Sequence, residues 1–124
     1  MSYTTEMNIT FWRAIFSGSF SNEDLRNLAT TIRTLNKERP LASTNGLVDL
    51  RALAEIDVDF NTVSAVTSDL QDVTLANEIK IAIVTDAPIQ YGFARMFQTL
   101  LNHRLIDMQL FFADEQDALT WISK

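Results

Sequence analysis

The chain of 124 residues contains no cysteine, a single histidine, three glycines and two prolines. Without cysteine there is no disulfide, no zinc–thiolate site and no thiol chemistry. A single histidine leaves a transition-metal site or a nucleophilic relay unsupported. The three glycines are widely separated, which argues against a glycine-rich loop for a nucleotide phosphate. These absences predict a protein without catalytic residues, metal ligands or a cofactor.

The chain also lacks an excess of positive charge, because ten Lys and Arg are outnumbered by sixteen Asp and Glu. A general nucleic-acid binder needs a basic face to displace phosphate counterions, so we expect no nucleic-acid partner. The acidic balance opposes electrostatic docking on anionic lipid, whereas apolar insertion into a membrane does not depend on charge. The apolar runs are too short to span a bilayer, and no N-terminal signal pattern is present. We expect a cytoplasmic protein.

Hydrophobic residues make up 47% of the chain, with eight Phe, two Trp and two Tyr, which predicts one packed domain over residues 1–124. Residues 79–85 form a nearly continuous apolar run, typical of a strand covered on both faces. Pro88 suits the first turn of a following helix. The apolar face of that helix is predicted from residues at helical spacing: Ile89, Phe93, Met96, Phe97, Leu100 and Leu101.

The N-terminal half predicts a hairpin followed by a helix. Two strands meet near Asn8, and the second carries apolar residues on both faces up to residues 17–19, as expected of an inner strand. Ser21 and Asp24 then form a capping-box pattern at the start of a helix, which Pro40 ends.

The remaining segments continue the alternation. A short strand is predicted over residues 47–51, then a loop through residues 55–59, a helix over 61–73, a strand over 108–112 and a closing helix capped by Asp114. The resulting order predicts an α/β fold, with an N-terminal hairpin followed by βα units in a mostly parallel sheet.

The chain resembles the SpoIIAA-like family of small bacterial proteins, which are relatives of the STAS domains and resemble the CRAL-TRIO lipid carriers in fold. The resemblance rests on four segments taken in order: residues 48–51 (VDLR), 81–86 (IAIVTD), 91–97 (YGFARMF) and 110–122, which ends in ALTWI. It implies a sheet with helices mainly on one face. It also implies small apolar ligand binding, membrane association or regulatory protein contacts.

One family feature is missing from this sequence. STAS anti-sigma-factor antagonists carry a phosphorylatable serine in an Asp-Ser-Ser-Gly motif between a central strand and the next helix. The corresponding residues 57–62 read DVDFNT and contain no such motif. The phosphoserine switch therefore does not carry over, and no phosphorylation site is assigned.

Seven residues form the predicted binding site for an apolar or amphiphilic ligand, in a cavity between the sheet and the helices at 61–73 and 89–102. They are Val63, Val66, Tyr91, Phe93, Arg95, Met96 and Phe97. Residues 61–70 are rich in β-branched side chains, which lowers helix propensity, so this helix is a candidate lid.

Several of these positions have a structural alternative. Arg95 binds an anionic head group in the first hypothesis and an acidic neighbour such as Asp49 or Asp86 in the second. Gly92 is explained by close packing on the sheet or by close approach of a ligand. Asp86 suits capping and solvation better than metal or acid catalysis. His103 suits a surface role near a helix end.

Three functions remain open from the sequence. The first is a non-enzymatic module that binds an apolar or amphiphilic small ligand. The second is a regulatory protein-interaction domain, with a homodimer or a protein partner, which an exposed apolar patch would favour. The third is an enzyme that uses Asp49, Asp86 and Arg95, which requires the three side chains to converge in one cleft.

Overall fold

The structure is a computed structural model that describes the backbone of residues 2–7, 11–38, 45–73, 75 and 77–123. Side chains are described for residues 11–34, 45–73, 75 and 77–123. The predicted turn at Asn8 and the predicted helix stop at Pro40 lie outside the described residues.

Within the described residues, five strands and four helices follow the predicted order. They are β1 (Ser2–Met7), β2 (Phe11–Ser21), α1 (Asn22–Glu38), β3 (Asn45–Asp57), α2 (Phe60–Gln71), β4 (Ile79–Thr85), α3 (Pro88–Leu100), β5 (Ile106–Phe112) and α4 (Glu115–Ile122). The strands lie side by side in chain order. β1 runs antiparallel to β2, and the other pairs are parallel. The predicted hairpin, the inner position of β2 and the mostly parallel sheet are confirmed.

Three helices cover one face of the sheet, and α4 covers the other. Alternate residues of the strands point to opposite faces, so Val48 and Ile81 belong to the large core beneath α1, α2 and α3. Leu47 and Ala82 belong to a smaller cluster completed by Ala118 and Ile122 of α4. The expectation of helices mainly on one face is confirmed.

The junction between β2 and α1 forms the predicted capping box. The backbone N–H of Ser21 donates to Oδ2 of Asp24 at 2.8 Å, and the backbone N–H of Asp24 donates to Oγ of Ser21 at 3.3 Å. Phe20 before the cap and Leu25 after it are both fully buried. These contacts fix the direction in which the chain leaves the sheet.

β3 is longer than predicted, and the predicted loop through residues 55–59 is wrong for Glu55 and Asp57. The strand continues to Asp57 because its second half pairs with the end of β2, up to Ser21, across two register shifts. Its pairing with β4 covers only residues 46–49. The second half of β3 therefore has one neighbour and several exposed side chains, and it lacks the apolar pattern of an inner strand.

Gly46 lies within β3, one residue before the predicted start of the strand. It is paired with Trp12 of β2, and a Cβ atom at this position would collide with the indole ring of Trp12. Trp12 is completely buried, so the ring has no room to move aside. The absence of a side chain at residue 46 leaves room for the indole of Trp12 directly beside the backbone of β3.

α3 begins at Pro88 as predicted, but two residues of this helix differ from expectation. Gly92 is exposed, and a Cβ atom there would have no neighbour within 4 Å, so close packing on the sheet does not explain it. Ile89 was expected on the buried face and is exposed. The buried face instead contains Gln90, Phe93, Ala94 and Phe97.

Candidate functional site

The carboxyl ends of β2, β3, β4 and β5 meet at one edge of the sheet, because these four strands are parallel. All four helices also begin there, since each follows one of these strands. This edge is the usual location of ligand and partner sites in α/β folds, because the connecting loops are free to vary.

Four large apolar side chains are exposed at this edge, and we call them the apolar edge: Phe60 (58% exposed), Ile89 (53%), Tyr91 (41%) and Phe112 (52%). Phe60 is the first residue of α2, Ile89 and Tyr91 lie in the first turn of α3, and Phe112 is the last residue of β5. The rings of Tyr91 and Phe112 are in edge-to-face contact, with 6.2 Å between their centroids. Tyr91 and Phe112 form one apolar contact at this end of the sheet, whereas Ile89 and Phe60 are exposed after the ends of β4 and β3. Exposure of large apolar residues at one end of a sheet is typical of an interaction surface.

Acidic side chains surround the apolar edge. Residues 55–63, 86–91 and 112–118 contain no Lys or Arg, whereas they contain Glu55, Asp57, Asp59, Asp86, Asp114, Glu115 and Asp117. Glu115 is paired with Arg13 and Arg51, and the other six carboxylates leave this surface with negative charge beside apolar rings. A partner with apolar and basic side chains complements it.

Two of these carboxylates cap helices. Asp59 accepts a hydrogen bond of 2.7 Å from the backbone N–H of Thr62, and this bond, with those from the Thr62 and Asn22 side chains, lowers the pKa of Asp59. Asp114 accepts one of 3.0 Å from the backbone N–H of Asp117, as predicted for α4. A separate side-chain hydrogen bond with Asp114, together with the like charge of that carboxylate, raises the pKa of Asp117. Asp86 caps nothing, because α3 has Ala87 at its N-cap without a side-chain bond.

Gln90 fixes the first turn of α3 against the sheet. Its buried amide nitrogen donates to the carbonyl oxygens of Leu53 at 2.8 Å and Arg51 at 3.2 Å. Its amide oxygen accepts from the backbone N–H of Asp86 at 2.9 Å. These three bonds join the middle of β3 and the end of β4 to the helix that carries Ile89 and Tyr91. This role of Gln90 has no signal in the sequence, because one polar residue in an amphipathic helix is ordinary.

A network of ion pairs holds α4 against the opposite face of the sheet. Arg51 forms two hydrogen bonds with Asp49, at 3.0 and 2.8 Å, and also contacts Glu115 of α4 at 3.4 Å. Arg13 of β2 contacts the same Glu115 at 3.0 Å. Burial alone raises the pKa of Asp49, but the hydrogen bonds and charge of Arg51 outweigh it and hold that pKa below its usual value. The same ion pair raises the pKa of Arg51, so Asp49 and Arg51 both stay ionised at neutral pH.

The interior beneath α1 and α3 contains a small apolar cavity of about 20 Å³. Its walls come from Leu28, Ile32, Val48, Leu50, Ile81, Ile83, Phe93, Phe97 and Met108. A water-sized molecule fills such a space, whereas pockets for small molecules have several hundred Å³. The cavity lies between the sheet, α1 and α3, and no residue of α2 lines it.

The seven residues predicted to bind a ligand lie in three different parts of the structure: the cavity wall, the core outside the cavity and the exposed side of α3. Phe93 and Phe97 line the cavity, while Val63 and Val66 are buried in the core beneath α2 and lie outside the cavity wall. Met96 is half-buried against the same core. Tyr91 and Arg95 lie on the exposed side of α3. The structure does not bring the seven together around one space.

The charged residues considered for catalysis are also separated. Nη1 of Arg95 donates to Oε1 of Gln98 at 2.7 Å, so it pairs with neither Asp49 nor Asp86. Asp49 points toward the α4 face, opposite to the face that α3 covers. The carboxylate of Asp86 is exposed to solvent. Among the residues that the structure describes, no three His, Asp or Glu side chains are grouped closely enough to hold a metal ion.

His103 has a structural role within the fold rather than one at the surface. Its Nε2 lies 2.7 Å from the carbonyl oxygen of Val73, and its Nδ1 accepts from the backbone N–H of Leu105 at 3.0 Å. A neutral ring with its proton on Nε2 satisfies both contacts. The imidazole therefore ties the segment after α2 to the segment before β5.

The profile of the SpoIIAA-like family matches residues 11–123, and the chain belongs to this family. The resemblance inferred from the sequence segments is confirmed. No curated protein sequence matches the chain.

Solved structures show the same fold. An uncharacterised protein of the DUF3478 family with a SpoIIAA-like fold, from Shewanella loihica PV-4, has a TM-score of 0.61 and 14% identity over 98% of this chain and 92% of that one. The anti-sigma factor antagonist SpoIIAA in its unphosphorylated form has a TM-score of 0.61 and 11% identity, over 98% of each chain. The phosphorylated form, described as a Bacillus cell fate determinant, has a TM-score of 0.56, 12% identity and coverage of 98% and 99%. At these identities the likeness concerns the fold.

None of the helices described for this chain is long and apolar enough to cross a membrane.

Proposed function

We propose that this protein is a non-enzymatic, cytoplasmic regulatory module that docks a partner protein at the apolar edge. The single observation that carries the proposal is the placement of all four exposed large apolar side chains of the described residues at the carboxyl edge of the sheet. The surrounding carboxylates favour a partner segment with apolar and basic side chains. An acidic rim disfavours an anionic membrane surface as the occupant.

Family membership supports a regulatory interaction, because a solved neighbour of the same fold is an anti-sigma factor antagonist. The phosphoserine motif is absent from residues 57–62 of this chain. The proposed docking therefore works without a phosphate switch at that position, through constant apolar contacts and charge complementarity.

Peptide display with counter-selection tests this function. Peptides are selected on the wild-type protein and then depleted on the double variant Tyr91→Ser, Phe112→Ser. We expect the surviving peptides to be rich in apolar residues and Lys or Arg, and to bind the double variant at least ten times more weakly, since central aromatic residues dominate docking energies.

The variant Thr34→Ser, Thr99→Ser is the matched control, because both residues are exposed on helices away from the apolar edge. Binding to this control should equal binding to the wild type. The proposal fails if no peptide family survives counter-selection, or if the surviving peptides are acidic.

A small apolar ligand is the second candidate, and the wholly apolar wall of the cavity supports it. The cavity of about 20 Å³ must enlarge by movement of α1 or α3, because these helices cover it. The lid assigned to α2 is not favoured, since no residue of α2 lines the cavity. Native mass spectrometry before and after denaturation tests this candidate: a small molecule retained by the folded protein and released on unfolding supports it, and a ligand-free species contradicts it.

A further inference from the structure

Asp86 lies beside the aromatic contact of the apolar edge. Thr85, the last residue of β4, is paired with Phe112 at the end of β5. Asp86 is therefore the first residue beyond this pair, and neighbouring strands of a sheet are about 5 Å apart. The ring of Phe112 contacts the ring of Tyr91, in the first turn of the helix that follows Asp86. Asp86 thus lies between the strand end and the helix start that carry the two exposed rings.

The backbone of Asp86 is held in place, whereas its carboxylate is free to bind a partner. Its backbone N–H donates to Oε1 of the buried Gln90 at 2.9 Å. An aspartate before a helix commonly caps it, but here the N-cap is Ala87 and α3 has no side-chain cap. Residue 86 is exposed, and no hydrogen bond or ion pair involves its carboxylate within the part of the chain that the structure describes. The fold therefore presents this charge from a fixed backbone position.

The other carboxylates around the apolar edge have partners or lie on another strand. Four of them have partners within the chain: Asp59, Asp114, Glu115 and Asp117. Glu55 and Asp57 lie in the second half of β3, which pairs with β2. β3 and β5 lie on opposite sides of β4, so these two residues are on the far side of β4 from Phe112. Of the seven carboxylates, Asp86 is therefore the free one that lies beside Tyr91 and Phe112.

A carboxylate beside exposed aromatic rings suits an arginine side chain. The guanidinium group forms two parallel hydrogen bonds with a carboxylate and also stacks on aromatic faces, whereas the ammonium group of lysine acts as a point charge. The aliphatic stem of arginine packs on apolar surface while its charged end stays in contact with water. One arginine can therefore contact the rings of Tyr91 and Phe112 together with the carboxylate of Asp86.

We propose that Asp86 determines the specificity of the apolar edge by binding an arginine of the partner segment, a role that rests on the proposed docking function. The stem of this arginine packs on Tyr91 and Phe112. The aromatic rings supply contact area to any apolar segment, whereas the free carboxylate discriminates between segments by their charge. The partner is therefore a protein segment that carries an arginine next to its apolar side chains.

Isothermal titration calorimetry tests this role of Asp86. The probe is the tightest peptide that survives the counter-selection against Tyr91→Ser, Phe112→Ser. The salt concentration is about 0.15 M, which screens exposed charges more than about 8 Å apart. We expect Asp86→Asn to weaken binding about threefold, as for an exposed ion pair. Asp86→Lys should weaken it at least tenfold, since like charges then meet. Circular dichroism confirms that both variants are folded.

Two further variants carry the same change of charge at other positions. Asp69→Lys is the matched control and should bind like the wild type, because Asp69 is exposed about 14 Å along the axis of α2 from Phe60. Glu55→Lys, in the acidic surround of the edge, should weaken binding about threefold or less. A loss in Asp69→Lys equal to that in Asp86→Lys would mean that only net charge matters. An equal loss in Glu55→Lys would assign recognition to the whole acidic surround, and either result overturns the proposal.

Charge exchange between the protein and the peptide provides a readout that a purely structural role of Asp86 would not change. Each Arg of the peptide is replaced in turn by Glu. One replacement should weaken binding to the wild type and should bind Asp86→Lys at least ten times more tightly than the original peptide does. Replacement of the same Arg by Lys should weaken binding to the wild type.

The outcomes separate this role from the docking function itself. If peptides survive counter-selection but contain no arginine, or if no exchange restores binding to Asp86→Lys, the role of Asp86 is wrong. The apolar edge then remains the docking surface, because these peptides were selected for their dependence on Tyr91 and Phe112. If no peptide survives counter-selection, both the docking function and the role of Asp86 are overturned.

Discussion

The interior beneath α1 and α3 and the apolar edge are both built from large apolar side chains, but only the edge is open to a partner. Phe93 and Phe97 pack into a core whose remaining space is about 20 Å³. Tyr91, on the same helix, is exposed and contacts Phe112. One helix therefore contributes both to a closed interior and to an open surface.

The two regions contribute differently to the stability of the fold. Burial of the interior residues stabilises the fold by about 25 cal/mol for each Å² of apolar surface removed from water. The residues of the apolar edge contribute little of this stabilisation, because about half of each side chain stays in solvent. The proposed docking function gives these exposed residues a role that folding does not.

The largest effect is expected from truncating a buried ring in the interior. Phe20 is completely buried and contacts the rings of Phe16 and Phe93, at 5.0 and 5.4 Å between centroids. Phe20→Ala should lower the free energy of unfolding by about 4 kcal/mol in urea titrations, since it removes apolar contacts and leaves a cavity. Phe60→Ala at the apolar edge is the control and should change it by about 0.5 kcal/mol or less. Similar losses in the two variants would mean that the edge belongs to the core.

A smaller loss of stability is expected when an ion pair on the α4 face is removed. On this face, ion pairs as well as apolar contacts hold the helix against the sheet. Asp49→Ala removes both hydrogen bonds to Arg51, whose side chain remains 32% exposed and so keeps some contact with water. We expect a loss of about 2 kcal/mol in the free energy of unfolding. An unchanged stability would show that the network is not needed to hold α4.

The same network predicts an acid dependence with a definite sign. The pKa of Asp49 is lowered in the folded protein, so its contribution is present above the unfolded pKa of about 4 and is lost as pH falls through the folded value. Between pH about 4 and 2, the stability of the wild type should fall more steeply than that of Asp49→Asn. Equal slopes in chemical denaturation at these pH values would contradict this assignment.

A gain in stability is expected at Gly92, on the exposed side of the helix that joins the two regions. A Cβ atom there meets no neighbour within 4 Å, and glycine is unfavourable inside a helix. Gly92→Ala should raise the free energy of unfolding by up to about 1 kcal/mol in urea titrations. A loss would indicate a contact at Gly92 that the structure does not contain.

The smallest effect is expected from filling the interior cavity. Val48→Ile adds one methylene group to a cavity wall, and we expect a change in the free energy of unfolding of about 1 kcal/mol or less. Thermal unfolding measures this change. A loss of several kcal/mol would show that the cavity is smaller than described.

The sequence predicted the elements whose signals are local. The capping box of Ser21 and Asp24 and the proline at residue 88 act within one turn of their own helix, so both predictions were confirmed. The family resemblance supplied the sheet and the placement of most helices. The second half of β3 was missed because its strand signal depends on pairing with β2 alone, which leaves Glu55 and Asp57 exposed.

The candidate site was harder to predict, because exposure is a property of the assembled fold. Ile89 and Phe93 occupy the same predicted apolar stripe of α3, yet only Phe93 is buried, because Gln90 rather than Ile89 faces the sheet in the first turn. Gln90 is polar and buried because the carbonyl groups of Arg51 and Leu53 lie within its reach. Neither outcome follows from helical spacing.

The most direct test of the central claim compares one selected peptide on three proteins: the wild type, the edge variant Tyr91→Ser, Phe112→Ser, and the interior variant Val48→Ile. Isothermal titration calorimetry measures each affinity, and circular dichroism confirms that all three are folded. If the apolar edge is the docking surface, the edge variant binds at least ten times more weakly and the interior variant binds like the wild type. Loss of binding in the interior variant, with full binding by the edge variant, would contradict the account.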